Sequence, residues 1–221
     1  PDTEGVAKPL GDSRYCLQFI RHHAAQLNLD PAQVALFGSS AGAGTSLWLG
    51  LGDERADPDA ADPVERQSTR VQAVAALGTQ ATYDIMRWET DVYAGMGVTL
   101  EAIAQVEPEQ ADRMADFYGV PLPADRDLRG LLETPAIQAY RAQVDMLAMV
   151  DAGDPPLWFQ SGGAGARPDD VGTLYHHPNH ANTLRERALA EGVPVTARLP
   201  GLDIEDADFP ALGDFLQQAV Q

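Results

Sequence analysis

The sequence predicts an α/β fold: a mainly parallel sheet with helices on both faces and a helical insertion between two of its strands. Three observations lead there. Four short apolar runs, VALF (34–37), VQAVAAL (71–77), LWFQS (157–161) and VTARLPG (195–201), have the length and the flanking turn residues of buried strands. Segments with helical spacing separate them, so successive strands are joined by crossovers and lie parallel. Between 78 and 150 no such run occurs, which marks an all-helical stretch.

Each element follows from its residues. Over 12–29, Tyr15, Cys16, Phe19, Ile20, His23, Ala24 and Leu27 recur at helical spacing, and this side, Cys16 included, is expected to face the core. Asn28-Leu29-Asp30-Pro31 stops the helix. VALF then leads through a glycine-rich turn into a helix over about 41–51, and the polar stretch GDERADPDAADPVERQS, with two Asp-Pro steps, is a surface loop. VQAVAAL is the second strand. YDIMRWETDVYAG, VTLEAIAQV, PEQADRMADFYGV and TPAIQAYRAQVDMLAMV read as short helices, whose aromatics Tyr83, Trp88, Tyr93, Phe117 and Tyr118 form either lobe core or the wall of a cleft. After LWFQS comes the polar loop SGGAGARPDD, then a helix over 178–191 closed by Gly192, then VTARLPG and a final helix in DFPALGDFLQQAV.

Three parts are expected: 1–78 as the first part of the core, 79–150 as a cap or lid insertion, and 151–221 as the C-terminal part of the core. Four parallel strands are few for such a sheet, and the opening helix needs a sheet to pack on. Strands before Pro1 are therefore expected, supplied by an N-terminal fragment or a second chain.

Composition narrows the function classes. The 221 residues carry 33 acidic against 15 basic side chains, a formal charge of −18, with Lys8 the sole lysine. Nucleic acid and anionic membranes are bound through basic clusters, so neither is an expected partner. No run approaches the roughly 18 apolar residues of a membrane span. PDTEGVAKPLGD lacks the basic start and apolar stretch of a signal peptide. A soluble cytoplasmic protein is expected, with secretion left open by residues that would precede Pro1; a homo-oligomer is also open. Cys16 is the single cysteine, which excludes an intrachain disulfide.

The chemistry centres on Gly38-Ser39-Ser40-Ala41-Gly42. Gly-x-Ser-x-Gly between a strand and a helix holds a nucleophilic serine on a sharp turn, with small neighbours allowing close chain approach. The Ala41 N–H at the helix start is a natural donor to a developing oxyanion. The bland alternative is a small-residue turn that packs a helix against a sheet. A phosphate loop fits less well, because no Gly-Lys-Ser/Thr ending follows and the spacing is not Gly-x-Gly-x-x-Gly.

On these residues the chain resembles the α/β-hydrolase superfamily, in the serine carboxylesterase and lipase branch that holds hormone-sensitive-lipase-like and feruloyl-esterase-like enzymes. YCLQFIRHHAAQLNLDPAQVALFGSSAGAG is similar to that branch's helix, nucleophile strand and elbow, and DPPLWFQSG with VTARLPG to its last two strands. The resemblance implies an acyl-enzyme mechanism at Ser40 without a cofactor. It also exposes departures. The family's acid-bearing His-Gly-x-x-Asp is here Gln160-Ser161-Gly162-Gly163-Ala164, leaving Asp169 and Asp170 as candidate acids. The family's histidine follows the last strand, yet nothing after His180 is a histidine, and no His-Gly-Gly-type oxyanion loop is present.

A serine needs a base. His22 and His23 lie on the first helix, remote from the turn, so the candidates are His176, His177 and His180, with His177 preferred as a relocated base. Packing or capping of the following helix is the structural alternative for the cluster. Metal binding is not expected: Pro178 disturbs the helix start and the spacing matches no strong zinc signature. Two function classes follow. One is a serine hydrolase of small carboxylic esters, with Ser39, Tyr83 and Trp88 as substrate contacts and part of the oxyanion site coming from beyond this chain. The other is a non-catalytic binding or interaction protein of the same fold that has lost its base and acid.

Overall fold

The computed structural model describes residues 4–221. The apolar runs form the strands β1 (Leu36–Ser39), β2 (Val74–Leu77), β3 (Leu157–Gln160) and β4 (Val195–Leu199), joined at one edge by the two-residue β5 (Ile204–Glu205). Among the described residues the sheet order is β1-β2-β3-β4-β5, the first four strands parallel and β5 antiparallel to β4. Leu36, Val74, Leu157 and Val195 share one level of the ladder, so the C-terminal ends at Ser39, Leu77 and Gln160 come out together. Loops leaving that common end are where parallel sheets build sites.

The helices before the insertion are α1 (Ala7–His22), α2 (Ala24–Leu27) and α3 (Ala41–Gly50). Between β2 and β3 run a π-turn (Trp88–Val92), α4 (Leu100–Ala104), α5 (Gln110–Phe117), α6 (Leu128–Leu132), α7 (Pro135–Gln143) and α8 (Met146–Met149). Downstream lie α9 (Val171–His176), α10 (Pro178–Glu191) and α11 (Leu212–Ala219). β2 and β3 are buried on both faces, as crossover helices require. The segment between them shares the sheet's core: Trp88, Tyr93, Ile103, Met114 and Tyr118 belong to the same apolar cluster as Val74, Leu157 and Phe159. Within the segment two partly buried ion pairs brace it, Arg141 to Asp84 at 2.6 Å and Arg87 to Asp145 at 2.8 Å.

Two expectations are corrected. The opening helix breaks at His23 and ends at Asn28, which takes a left-handed conformation. More consequentially, α1 is turned over: Leu10, Leu17, Gln18 and Arg21 are buried, while Tyr15, Cys16, Phe19 and Ile20 are exposed. The reason lies in the loop before β2, whose backbone carbonyls attract the polar side of the helix. Gln18 donates to the carbonyls of Glu65 and Gln67, and Arg21 to those of Ser68 and Arg70. Buried backbone acceptors need donors more than this helix needs apolar cover. The two-residue β5 carries no period of its own; Asp203, left-handed at φ 54°, turns the chain back onto β4. Among the described residues β1 is an edge strand, with Phe37 48% exposed, and no helix is long and apolar enough to cross a membrane.

Candidate active site

Ser40 joins β1 to α3 and takes φ 54°, ψ −121°, a conformation that costs a non-glycine residue about 1–3 kcal/mol. Its neighbours hold it there. The Ser40 N–H donates to the Leu77 carbonyl at 2.9 Å, and its own carbonyl accepts from the amides of Ala43 and Gly44. A Cβ on Gly38 would stand 2.1 Å from the Gly42 carbonyl, so the turn closes only over a glycine. Gly42 itself has open space where a Cβ would go; the second crowded position is Gly44, where a Cβ would meet the Tyr83 hydroxyl at 2.2 Å.

His176 ends α9, 136 residues further along, and its Nε2 lies 2.7 Å from Ser40 Oγ. Its Nδ1 faces the Gly172 carbonyl at 3.0 Å. A carbonyl can only accept, so Nδ1 carries the hydrogen and Nε2 presents its lone pair to the serine hydroxyl. This is the tautomer a general base needs.

The other two histidines are turned elsewhere. His177 is buried and caps α10: its Nδ1 accepts the Asn179 amide at 3.1 Å and its Nε2 donates to the Ala166 carbonyl at 3.0 Å. Burial pushes its pKa down. His180 is fully buried, with Nδ1 accepting the Ala81 amide at 3.1 Å and Nε2 donating to the Leu174 carbonyl at 3.0 Å. Burial drives its pKa down to about 3, and the nearby His177 and His176 rings add to the effect. Among the described residues no group of three or more His, Cys, Asp or Glu side chains is disposed to hold a metal ion.

The candidate acids do not reach the ring. Asp170 is the N-cap of α9, its carboxylate accepting the Thr173 amide at 2.7 Å while the Thr173 hydroxyl closes a capping box. These bonds from Thr173 hold its carboxyl below the usual range. Asp169 is exposed, and its amide donates to Thr173 Oγ1 at 3.3 Å. The nitrogen of His176 remote from Ser40 therefore meets a backbone carbonyl in place of a carboxylate. Periodicity and motif spacing carry no signal for that carbonyl.

Beside Ser40 opens an apolar cavity of about 220 Å³, walled by Val6, Leu10, Tyr83, Ile85, Trp88 and Phe117, with Ala41 and Gln80 also on its lining. Tyr83 and Trp88 thus sit at the cavity, whereas Ser39 is exposed at the end of β1 and is not part of the lining. Tyr83, whose phenol burial raises to about 12, donates to the Ala41 carbonyl at 3.0 Å and braces the first turn of α3. As the first residue of that helix, Ala41 has an N–H with no acceptor within the helix.

A parallel sheet followed by a strained strand–serine–helix turn, with helices on both faces, defines this chain as an α/β-hydrolase. It belongs to the BD-FAE family, whose model matches residues 3–113. Among solved structures it is similar to the bifunctional GH43-CE of Bacteroides eggerthii, at 18% identity and TM-score 0.61 over 96% of this chain and 27% of that one. A truncated carbohydrate esterase from gut microbiota is similar at 14% identity and TM-score 0.55, over 96% of this chain and 68% of the other. The acetyl ester-xyloside bifunctional hydrolase from Caldicellulosiruptor lactoaceticus is similar at 17% identity and TM-score 0.51, over 95% and 62%. The chain spans only part of the length of each. At these identities the likeness is one of fold. No curated protein matches it.

Proposed function

We propose that this protein is a serine hydrolase that cleaves carboxylic esters through an acyl-enzyme, with Ser40 as nucleophile on an elbow and His176 as base. One observation carries the reading: Ser40 Oγ lies 2.7 Å from His176 Nε2, with Nδ1 of that ring engaged by Gly172. The Ser40 hydroxyl gives its proton to His176 Nε2 as its oxygen bonds to the acyl carbon, and the carbonyl oxygen becomes an oxyanion facing the Ala41 N–H. Collapse of the tetrahedral species expels the alcohol oxygen, which takes the proton from Nε2. Water then adds to the acyl-enzyme, giving a proton to His176 Nε2, and Nε2 returns that proton to Ser40 Oγ as the acyl–oxygen bond breaks and the acid leaves.

The ester's acyl group would occupy the apolar cavity, and its volume and aromatic walls favour a short aliphatic or compact aromatic acyl group. Residues 79–150 act as its cap in this reading, since Tyr83, Ile85, Trp88 and Phe117 come from that segment. The second oxyanion donor is assigned to a further polypeptide segment beside β1, a placement supported by the open strand edge and the exposed Phe37. The non-catalytic alternative rests on a displaced base and a displaced acid; the 2.7 Å contact weighs against the first of these.

Incubation of the protein with a fluorophosphonate probe and short p-nitrophenyl esters tests the reading, with Ser40→Ala as control. Labelling and turnover that vanish in the control are expected; neither appearing in the unsubstituted protein would exclude the enzyme.

A further inference from the structure

We propose that His180 and Tyr93 are positioning residues for His176, holding the base in register with Ser40 through the carbonyl of Leu174. The inference rests on the Ser40–His176 reading above.

The base sits at the end of a helix of only six residues, too short to be held by its own hydrogen bonds. Among the described residues no carboxylate orients the ring. What fixes this end is a set of side chains, each donating to one of its carbonyls. Leu174 O accepts from the Tyr93 hydroxyl and from His180 Nε2 at 3.0 Å. Tyr175 O accepts from Gln80 Nε2 at 2.8 Å, and His176 O from Ser161 Oγ at 3.2 Å. At the other end stands the Asp170–Thr173 capping box.

His180 is the fixed point of this set. Because its Nδ1 accepts the Ala81 amide, its hydrogen must be on Nε2, where it points at Leu174 O. The ring cannot rotate away, for Trp88 and Tyr93 meet it edge-on with centroids 4.8 and 5.6 Å distant. The loop that follows β2 is thereby locked to α9. Leu174 lies between Gly172 and His176, so slippage at its carbonyl would loosen both contacts of the catalytic ring together. A displacement of about 1 Å suffices to cost on the order of 100-fold in rate. Neither His180 nor Tyr93 lines the substrate cavity, so their removal should act on kcat and leave KM alone.

The test is steady-state hydrolysis of p-nitrophenyl acetate by the whole protein and by Tyr93→Phe, His180→Leu and His180→Gln, with thermal melts of each. Tyr93→Phe and His180→Leu are expected to lower kcat by about 10- to 100-fold with KM within about twofold. His180→Gln, which restores an amide donor toward Leu174 O, should recover most of that loss. Should His180→Leu fail to fold, Tyr93→Phe, which removes one hydroxyl, decides alone. Unchanged kcat in folded variants, or a loss that appears in KM, overturns the positioning role while leaving the serine reading intact. Absence of Ser40-dependent turnover in the unsubstituted protein overturns both.

Discussion

Ser40 Oγ and His176 Nε2 face each other across 2.7 Å, although 136 residues separate them in the chain. Two loops from the C-terminal end of the sheet bring them together, one after β1 and one after β3. If this pair is the catalytic unit, His176→Ala should lower kcat/KM by about 10³-fold or more, as loss of a general base does. His177→Ala should leave kcat/KM within about tenfold and instead cost about 1 kcal/mol of stability, because it removes the cap of α10. Esterase assays and urea titrations of the two variants separate these roles; the reverse pattern would move the base to His177.

The second prediction concerns the acids. Asp169→Asn should keep activity near that of the unsubstituted protein, for its carboxylate does not orient the ring in this structure. Asp170→Ala should lower the melting temperature through loss of the α9 cap. A drop of 10³-fold in kcat for a folded Asp169→Asn would show a carboxylate at work and sink the Ser–His pair.

Strain at Ser40 is measurable without any substrate. Ser40→Ala and Ser40→Gly both remove the hydroxyl, but only glycine accepts φ 54° freely. Ser40→Gly should therefore be about 1 kcal/mol more stable than Ser40→Ala in denaturant titrations. Equal stability would mean that the turn stores no strain.

Cavity size should control acyl preference. Phe117→Ala removes one aromatic wall and should shift the preferred p-nitrophenyl ester toward longer chains, whereas Gly44→Ala, which drives a methyl into the Tyr83 hydroxyl, should lower stability and activity together. Chain-length profiles from acetate to octanoate check both outcomes. An unaltered profile in folded Phe117→Ala would remove the acyl group from this cavity.

A pH prediction comes from Asp154, buried in the turn before β3 and accepting the Asp151 amide at 2.9 Å. Burial raises its pKa to about 6, above the unfolded value. The native state then holds a proton that the unfolded chain has released, so stability is full at low pH and declines as pH rises toward 6 and beyond. Asp154→Asn should raise the melting temperature at pH 7.5, by a stability gain on the order of 2 kcal/mol, and change it little at pH 4. Equal shifts at both pH values would count against a raised pKa.

Much of the fold was legible because strands and helices announce themselves by period. β1 to β4 each fall in or beside the apolar runs that flagged them, and α10 spans Pro178–Glu191 as its capping residues required. The α1 helix was legible as a helix and misleading as to its face. Its orientation depends on the carbonyls of the loop at Glu65 to Arg70, which no period reveals. At the site, Ser40 stood out through its glycine-flanked turn, and the cluster of three histidines was visible, but the preference among them fell on His177 where the structure sets His176 against Ser40.

By itself the sequence determined an α/β chain with a strained serine turn, an acidic surface and a histidine group downstream, since composition, spacing and small residues at fixed positions are properties of the local chain. Tertiary structure decided which histidine faces Ser40, that a carbonyl and not a carboxylate holds its far nitrogen, and which aromatics wall the cavity. Those outcomes turn on where short loops from separate strands end relative to one another, and at this scale a displacement of one hydrogen-bond length reassigns every role.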